Sequence, residues 1–245
     1  MNLSHPDNER VELFDGRLKV LQKKAGYRFS IDSVLLGSFA SERASGTVAD
    51  LGTGSAILPV ILARHKKFTR ITGIEIQQDL VELAGQNIAL NEIQDRVSIV
   101  HVDIKNIRAD FPSEGFDNVV TNPPFYPAGT GRINPDKQSA IARHELCGTL
   151  QDFISGAAFL LRQTGKFMAV FPASRVVDLI AEMRQKNIEP KTLRLIHSRV
   201  DDPASMVLVE GIKAAGKEAK ILPPLILYDN KGEYTEEVKA IFEGI

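Results

Sequence analysis

Between positions 11 and 21 apolar and polar residues alternate with period two around the Asp15-Gly16 pair, the pattern of two short strands joined by a tight turn. Over 30–39 the apolar positions fall at helical spacing instead, with Ser30 placed to cap the start. From there the rhythm becomes strand, tight turn, helix, repeated. Strands are expected over 47–51, 70–76, 97–102, 116–121 and 165–172, and helices over 55–65, 79–90, 150–162 and 174–186. Pro59 fits the first of these helices only because it falls near the first turn, where backbone N–H groups lack partners anyway.

Strands that alternate with helices imply an α/β fold with a mostly parallel sheet covered on both faces. Two further strands, over 192–198 and 205–213, are joined by the short Asp201-Asp202-Pro203 turn and so predict an antiparallel pair closing the sheet. An apolar run over 221–228 and a short helix over 235–242 follow. Nothing along the chain reads as a repeat or a linker, so one domain is expected over 1–245, with the hairpin and helix at about 9–43 as an N-terminal extension. Ligands of open parallel sheets bind beyond the carboxyl ends of the strands, so the chemistry is expected just after them.

Composition adds exclusions. The chain has 245 residues, 43% of them hydrophobic and 25% charged, ordinary for a globular protein. No apolar run approaches the roughly 20 residues of a membrane span, and the polar start, with His5, Asp7 and Glu9, is unlike a secretory signal. The single cysteine, Cys147, excludes an internal disulfide and a cysteine-rich metal site. Together these predict a cytoplasmic protein without a metal. A net charge of −1 gives no support to non-specific coating of nucleic acid. One local stretch differs: Arg17, Lys19, Lys23, Lys24 and Arg28 follow one another without an acid between them, either a solvated surface or an edge that contacts phosphates.

The first strand of the repeating pattern ends in Asp50-Leu51-Gly52-Thr53-Gly54-Ser55. The two glycines permit positive φ and let a ligand approach the backbone, while the following helix offers free N–H groups. A dinucleotide fingerprint would want a third glycine at 57, and that position is Ile57. Asp50 would repel phosphate, yet can accept from the amino group of a methionine moiety. Glu75 and Ile76 end the next strand, about 20 residues past the glycines, where an acid can take both hydroxyls of a ribose. Asp103 and Ile104 end the third; the acid either accepts from an adenine amino group, with the isoleucine against the ring, or caps the turn that follows.

Asn122-Pro123-Pro124-Phe125, at the end of the fourth strand, is the most specific feature. Consecutive prolines fix the direction in which the chain leaves the sheet. The amide oxygen of Asn122 and the carbonyl of Pro123 then form two adjacent acceptors, suited to an –NH2 group, and Phe125 offers a face on which a base stacks. An aromatic exocyclic amine is a poor nucleophile because its lone pair is delocalised into the ring. Two acceptors favour pyramidal nitrogen, free that pair and stabilise the positive charge that develops as nitrogen is methylated. Neither a nucleophilic side chain nor a metal is required, and no Ser-His-Asp or Cys-His spacing is present.

Taken together, Asp50-Leu51-Gly52-Thr53-Gly54, Glu75, Asp103 and Asn122-Pro123-Pro124-Phe125 resemble the class I methyltransferases, and their order resembles the members acting on amino nitrogens of adenine, guanine or glutamine. More narrowly, 26–36 (Gly-Tyr-Arg-Phe-Ser-Ile-Asp-Ser-Val-Leu-Leu) is similar to the segment ahead of the glycine loop in bacterial tRNA (adenine-N6)-methyltransferases, which modify the adenine beside the anticodon of a valine tRNA, position 37. The likeness runs over about 11–152. It implies a Rossmann-like, seven-stranded fold, S-adenosylmethionine as cofactor, tRNA as partner, and Phe29 and Asp32 near the methionine portion. The segment 126–148, with Arg132, Lys137, Arg143 and His144, reads as a long substrate-gripping loop. Methylation of a release-factor glutamine or of a guanine in ribosomal RNA stays open, although release-factor enzymes carry a sizeable helical domain where this chain has only about 45 residues. So does an RNA-binding or assembly factor that kept the fold. The oligomeric state is not encoded in these patterns.

Overall fold

The computed structural model of the chain describes residues 8–13, 18–23, 30–123 and 148–244. Strands β1 (Asn8–Leu13) and β2 (Leu18–Lys23) form the expected hairpin, antiparallel from Asn8↔Lys23 to Leu13↔Leu18, and pair with no other strand among the described residues. Helix α1 (Ile31–Arg43) follows. Ser30 stands at its N-cap position with extended backbone, but its hydroxyl donates to the Asp32 carboxylate at 2.8 Å and makes no cap hydrogen bond to the helix. The expected cap is therefore one of position only, with the hydroxyl oriented to donate to Asp32 rather than to accept from the first turn.

The central sheet comes next, as β3 (Gly46–Leu51), α2 (Ile57–Ala63), β4 (Phe68–Glu75), α3 (Gln78–Leu90), β5 (Val97–His101), a 3-10 turn leading into α4 (Ile107–Asp110), and β6 (Phe116–Thr121). It continues through α5 (Leu150–Leu160), β7 (Leu161–Pro172), α6 (Val176–Gln185), β8 (Ile188–His197) and β9 (Ala204–Lys213). The spatial order is β5-β4-β3-β6-β7-β9-β8, parallel from β5 to β7. Strand β9 enters antiparallel between β7 and β8, the closing pair that the Asp201-Asp202-Pro203 turn predicts.

These are the seven strands expected, and among the described residues two short strands add to them at the β8 edge. The apolar run over 221–228 forms two strands of two residues, β10 (Lys220–Ile221) and β11 (Leu225–Ile226), both parallel to the outer edge of β8. Pro223 and Pro224 stand between them without N–H groups, so one continuous strand cannot form there. Strand β8 starts at Ile188 rather than 192, passing through Pro190; the register shifts between Pro190 and Thr192, a bulge that accommodates the missing donor. Helix α7 (Glu236–Glu243) ends the described chain, with Thr235 capping it through the N–H of Val238.

Side chains leave the sheet alternately to two cores. Ala49, Ile74, Val119, Phe167, Ala169, Phe171, Val207 and Val209 meet α4, α5 and α6 on one face. Val48, Ile71, Val120, Met168, Val170 and Leu208 meet α1, α2 and α7 on the other. Burying each of the larger of these side chains stabilises by about 1.5–3 kcal/mol, and the alternation fixes register because a one-residue slip would send each set into the core shaped for the other. The hairpin belongs to the second face: Leu18 and Val20 pack with Val34, Ile57, Val60 and Ile61, and the terminal helix reaches the same cluster through Ile241 and Phe242.

Candidate active site

The informative residues converge at the carboxyl ends of adjacent strands. Past β3 the chain turns at Gly52 (φ 70°) and Gly54 (φ 57°), backbone conformations that favour glycine. The N–H groups of Gly52 and Thr53 both donate to the carbonyl of Ile74, at 2.9 and 3.0 Å, folding the loop over the end of β4. Close packing surrounds it. A Cβ on Gly52 would stand 3.2 Å from the ring of Phe153 on α5, and one on Gly73 in β4 would stand 2.6 Å from Ile99 and 2.8 Å from the hydroxyl of Thr53.

Glu75 terminates β4 with its carboxylate turned onto this loop. One oxygen accepts from the N–H of Gly54 at 2.9 Å; the other accepts from Ile76 and Gln77 at 3.0 and 2.9 Å. The carboxylate thus fastens the loop to the end of β4. Asp50 is buried at the end of β3 and accepts from the Thr53 hydroxyl at 2.6 Å. Burial pushes its pKa up to about 7; the hydroxyl of Thr53 opposes the rise, and the neighbouring charge of Glu75 adds to it. On the same loop, the buried hydroxyl of Ser55 has no hydrogen-bond partner among the described residues.

Asp103 follows β5 and caps the 3-10 turn Ile104–Asn106, one carboxylate oxygen accepting from the Lys105 N–H at 2.9 Å. Of the two readings open in the sequence, capping is present, and it occupies one oxygen. Ile104 is buried in the core against α5, packed close to Gly148 and Gly156.

Strand β6 ends with Thr121, whose hydroxyl donates to the carbonyl of Leu51 at 2.8 Å and ties this strand end to the glycine loop. Asn122 is next, half-buried, and its amide nitrogen donates to the Ser33 hydroxyl of α1 at 2.9 Å. Pro123 is buried. The start of α1 therefore adjoins the end of β6, which brings Asp32, in the first turn, to the same rim. Pro124, Phe125, Phe29, Arg28, Lys24, Arg132, Arg143 and His144 lie outside the described residues, as do the side chain of Lys23 and the rest of 124–147. No group of histidine, cysteine and acidic residues suited to a metal occurs among the described residues, and none of their helices is long and apolar enough to cross a membrane.

The family model described as methyltransferase small domain matches residues 28–186. A tRNA1(Val) (adenine(37)-N6)-methyltransferase of Porphyromonas gingivalis is 32% identical over 187 residues, covering 74% of this chain and 70% of that protein. One of Bacteroides thetaiotaomicron is 30% identical over 226 residues, covering 91% of each. The chain belongs to the tRNA1(Val) (adenine(37)-N6)-methyltransferase family. Solved structures carry the fold alone. A predicted O-methyltransferase of Agrobacterium tumefaciens superposes with a TM-score of 0.69 at 24% identity, covering 87% of this chain and 96% of that one. A T. thermophilus 16S rRNA N2 methyltransferase, in complex with AdoMet and guanosine, gives 0.58 at 19% identity over 84% of this chain and 50% of that one. These neighbours bear out a Rossmann-like class I methyltransferase fold.

Three residues stand at the site to which the sequence reading assigns no role. Ser33 holds Asn122, Ser55 presents an unpartnered hydroxyl beside the loop, and the buried Asn87 of α3 donates to the Ser55 carbonyl at 2.8 Å. Only Asn87 leaves a trace in the pattern: it is a polar residue on the face that α3 otherwise buries with Leu80, Leu83, Ala84 and Ile88.

Proposed function

We propose that this chain methylates the exocyclic N6 amine of an adenine in tRNA, at position 37 of a valine tRNA as its relatives' names state, with S-adenosylmethionine as donor and in the cytoplasm. The observation that carries the reading is Asn122: its nitrogen is taken by Ser33, which leaves the amide oxygen and the adjacent Pro123 carbonyl as acceptors at the strand end next to the glycine loop.

The residues present fit the donor. A loop without side chains at Gly52 and Gly54, a buried hydroxyl on Ser55 with no partner, and carboxylates ending β3 and β4 suit a ligand that carries an ammonium group and a ribose. S-adenosylmethionine supplies an electrophilic methyl group on a sulfonium. Asp50 accepts from the ammonium, Glu75 takes ribose hydroxyls with Ile76 beside it, and Asp103 accepts from the adenine amine with the oxygen not used in capping. Gly52, Thr53 and Gly54 form the cradle, with Phe29 and Asp32 over the methionine portion. At the reacting end Asn122 and Pro123 accept both hydrogens of the target amine, Pro124 fixes the turn, and Phe125 stacks on the base. Lys23, Lys24, Arg28, Arg132, Arg143 and His144 grip the tRNA around it. The continuous sheet supports a single domain over 1–245, extended by the hairpin.

The test is transfer of labelled methyl from S-adenosylmethionine to bulk tRNA that lacks the modification, followed by nucleoside analysis. Labelled N6-methyladenosine is expected from the wild type. Asn122→Ala should lose about a hundredfold or more of the rate while cofactor affinity by calorimetry stays within about twofold. Label in protein or ribosomal RNA instead of tRNA would overturn the substrate, and full activity of Asn122→Ala would overturn the role of the amide.

A further inference from the structure

Asn122 presents a difficulty that its own sequence motif does not solve. The two ends of a primary amide have nearly the same shape and opposite polarity. Turned one way, Asn122 offers an acceptor to an incoming amine; turned the other, it offers N–H groups to a partner that is itself a donor, and the site repels its substrate. The proline that follows fixes the backbone, not the last torsion of the side chain.

One hydrogen bond to the amide is present among the described residues. The hydroxyl of Ser33, 2% exposed in the first turn of α1, lies 2.9 Å from the Asn122 nitrogen and accepts from it. A hydroxyl can serve either end of an amide, and the arrangement found here is the one compatible with an amine on the far side. Ser33 is held in turn: its N–H donates to the Ser30 carbonyl, and Val34, Leu35 and Leu36, the next residues of α1, are buried on the second face of the sheet. The serine oxygen is therefore fixed in place, with the amide nitrogen of Asn122 directed at it.

We infer that Ser33 is a positioning residue for methyl transfer, holding the Asn122 amide with its oxygen toward the substrate nitrogen. This rests on the function proposed above and deepens it. Ser33 touches neither the donor nor the base; it acts through Asn122 alone.

The experiment compares Ser33→Ala, Ser33→Cys and Ser33→Thr with the wild type, measuring single-turnover methylation of unmodified tRNA, KM for tRNA, cofactor affinity by calorimetry, and thermal stability. Alanine is a better helix former than serine and fits the space, so folding is expected. Ser33→Ala should lower the single-turnover rate by about tenfold to a hundredfold, as small misplacements of a reacting group do, with KM, cofactor affinity and melting temperature close to wild type. Ser33→Cys, of similar shape but a weaker acceptor, should fall between, and Ser33→Thr, which keeps the oxygen, should recover most of the rate. A wild-type rate in Ser33→Ala overturns the inference. So does a loss in which rate, cofactor affinity and stability fall together, since that marks a packing role. Failure of the wild type to methylate tRNA at all would instead overturn the proposed function, so the two failures are distinguishable.

Discussion

The side-chain amide of Asn87 pairs with the backbone of Leu21 as a neighbouring strand would, accepting from its N–H at 2.6 Å and donating to its carbonyl at 3.0 Å. One helical turn on, Asn91 treats Lys19 in the same way, donating to its carbonyl at 2.7 Å and accepting from its N–H at 3.3 Å. Residues 19 and 21 present their backbone groups to the same edge of β2, and residues 87 and 91 share one face of α3, so the two periods meet. A strand edge that would otherwise be bare is completed by a helix. Asn87 also reaches the Ser55 carbonyl, which joins the hairpin to the glycine loop.

Removing that amide strands three buried backbone groups. Asn87→Ala is expected to destabilise the protein by about 3 kcal/mol in urea unfolding, each unsatisfied group costing roughly 1–3 kcal/mol before relaxation. Asn91→Ala, at a half-buried site, should cost about 1 kcal/mol. A change below about 0.5 kcal/mol in Asn87→Ala would mean that the helix does not hold the hairpin.

Gly73 has no room for a methyl group. Its added Cβ would displace Thr53, whose hydroxyl holds Asp50. Gly73→Ala should weaken cofactor binding at least tenfold by calorimetry and lower stability by about 1–3 kcal/mol. Unchanged affinity would show that the loop tolerates the shift.

Asp50 makes stability depend on pH in an unusual direction for a carboxylate. Its pKa is raised by folding, from an ordinary 3.8 to about 7, so its contribution is fully present below pH 4 and is lost as pH rises through 7. Cofactor-free protein should lose roughly 3 kcal/mol from this group between pH 5 and pH 8. Asp50→Asn should flatten that part of the profile, and urea midpoints at the two pH values measure it. An ammonium bound at Asp50 would draw off its proton, so near pH 7 the heat of cofactor binding should differ between buffers of different ionisation enthalpy. Identical slopes in wild type and Asp50→Asn would contradict the raised pKa.

Phe153 supports the loop from below, its ring beneath Gly52 and 1% exposed. Phe153→Ala is expected to cost about 3–5 kcal/mol in thermal or urea unfolding. Saturating cofactor should restore part of that loss by mass action if the loop can still form. No stabilisation by the ligand would mean that the cradle collapses without the ring.

What was legible in the sequence was local. Asp50, Gly52, Gly54, Glu75 and Asn122 each sit within a few residues of a strand end, and a strand end is marked by the switch from period two to a turn. Ser33 and Asn87 act across 89 and 66 residues of chain, on Asn122 and Leu21 respectively, and no periodicity encodes a meeting at that separation. Asp103 was legible as a residue and ambiguous as a role, because the same short side chain caps a turn or meets a ligand. The two extra strands were hidden inside one apolar run, since proline removes the donors that define a strand without changing its hydrophobicity.

Those prolines also bear on how the molecule treats its own copies. Among the described residues, β8 at this margin of the sheet pairs on its outer side only with β10 and β11, with Pro223 and Pro224 between them and Lys191 and Lys220 alongside. A strand from a second chain approaching that margin finds charge, two missing donors and no run of open backbone longer than a few residues. Sheet-to-sheet polymerisation, the ordinary hazard of a β-rich margin at high concentration, is closed off there by a dipeptide.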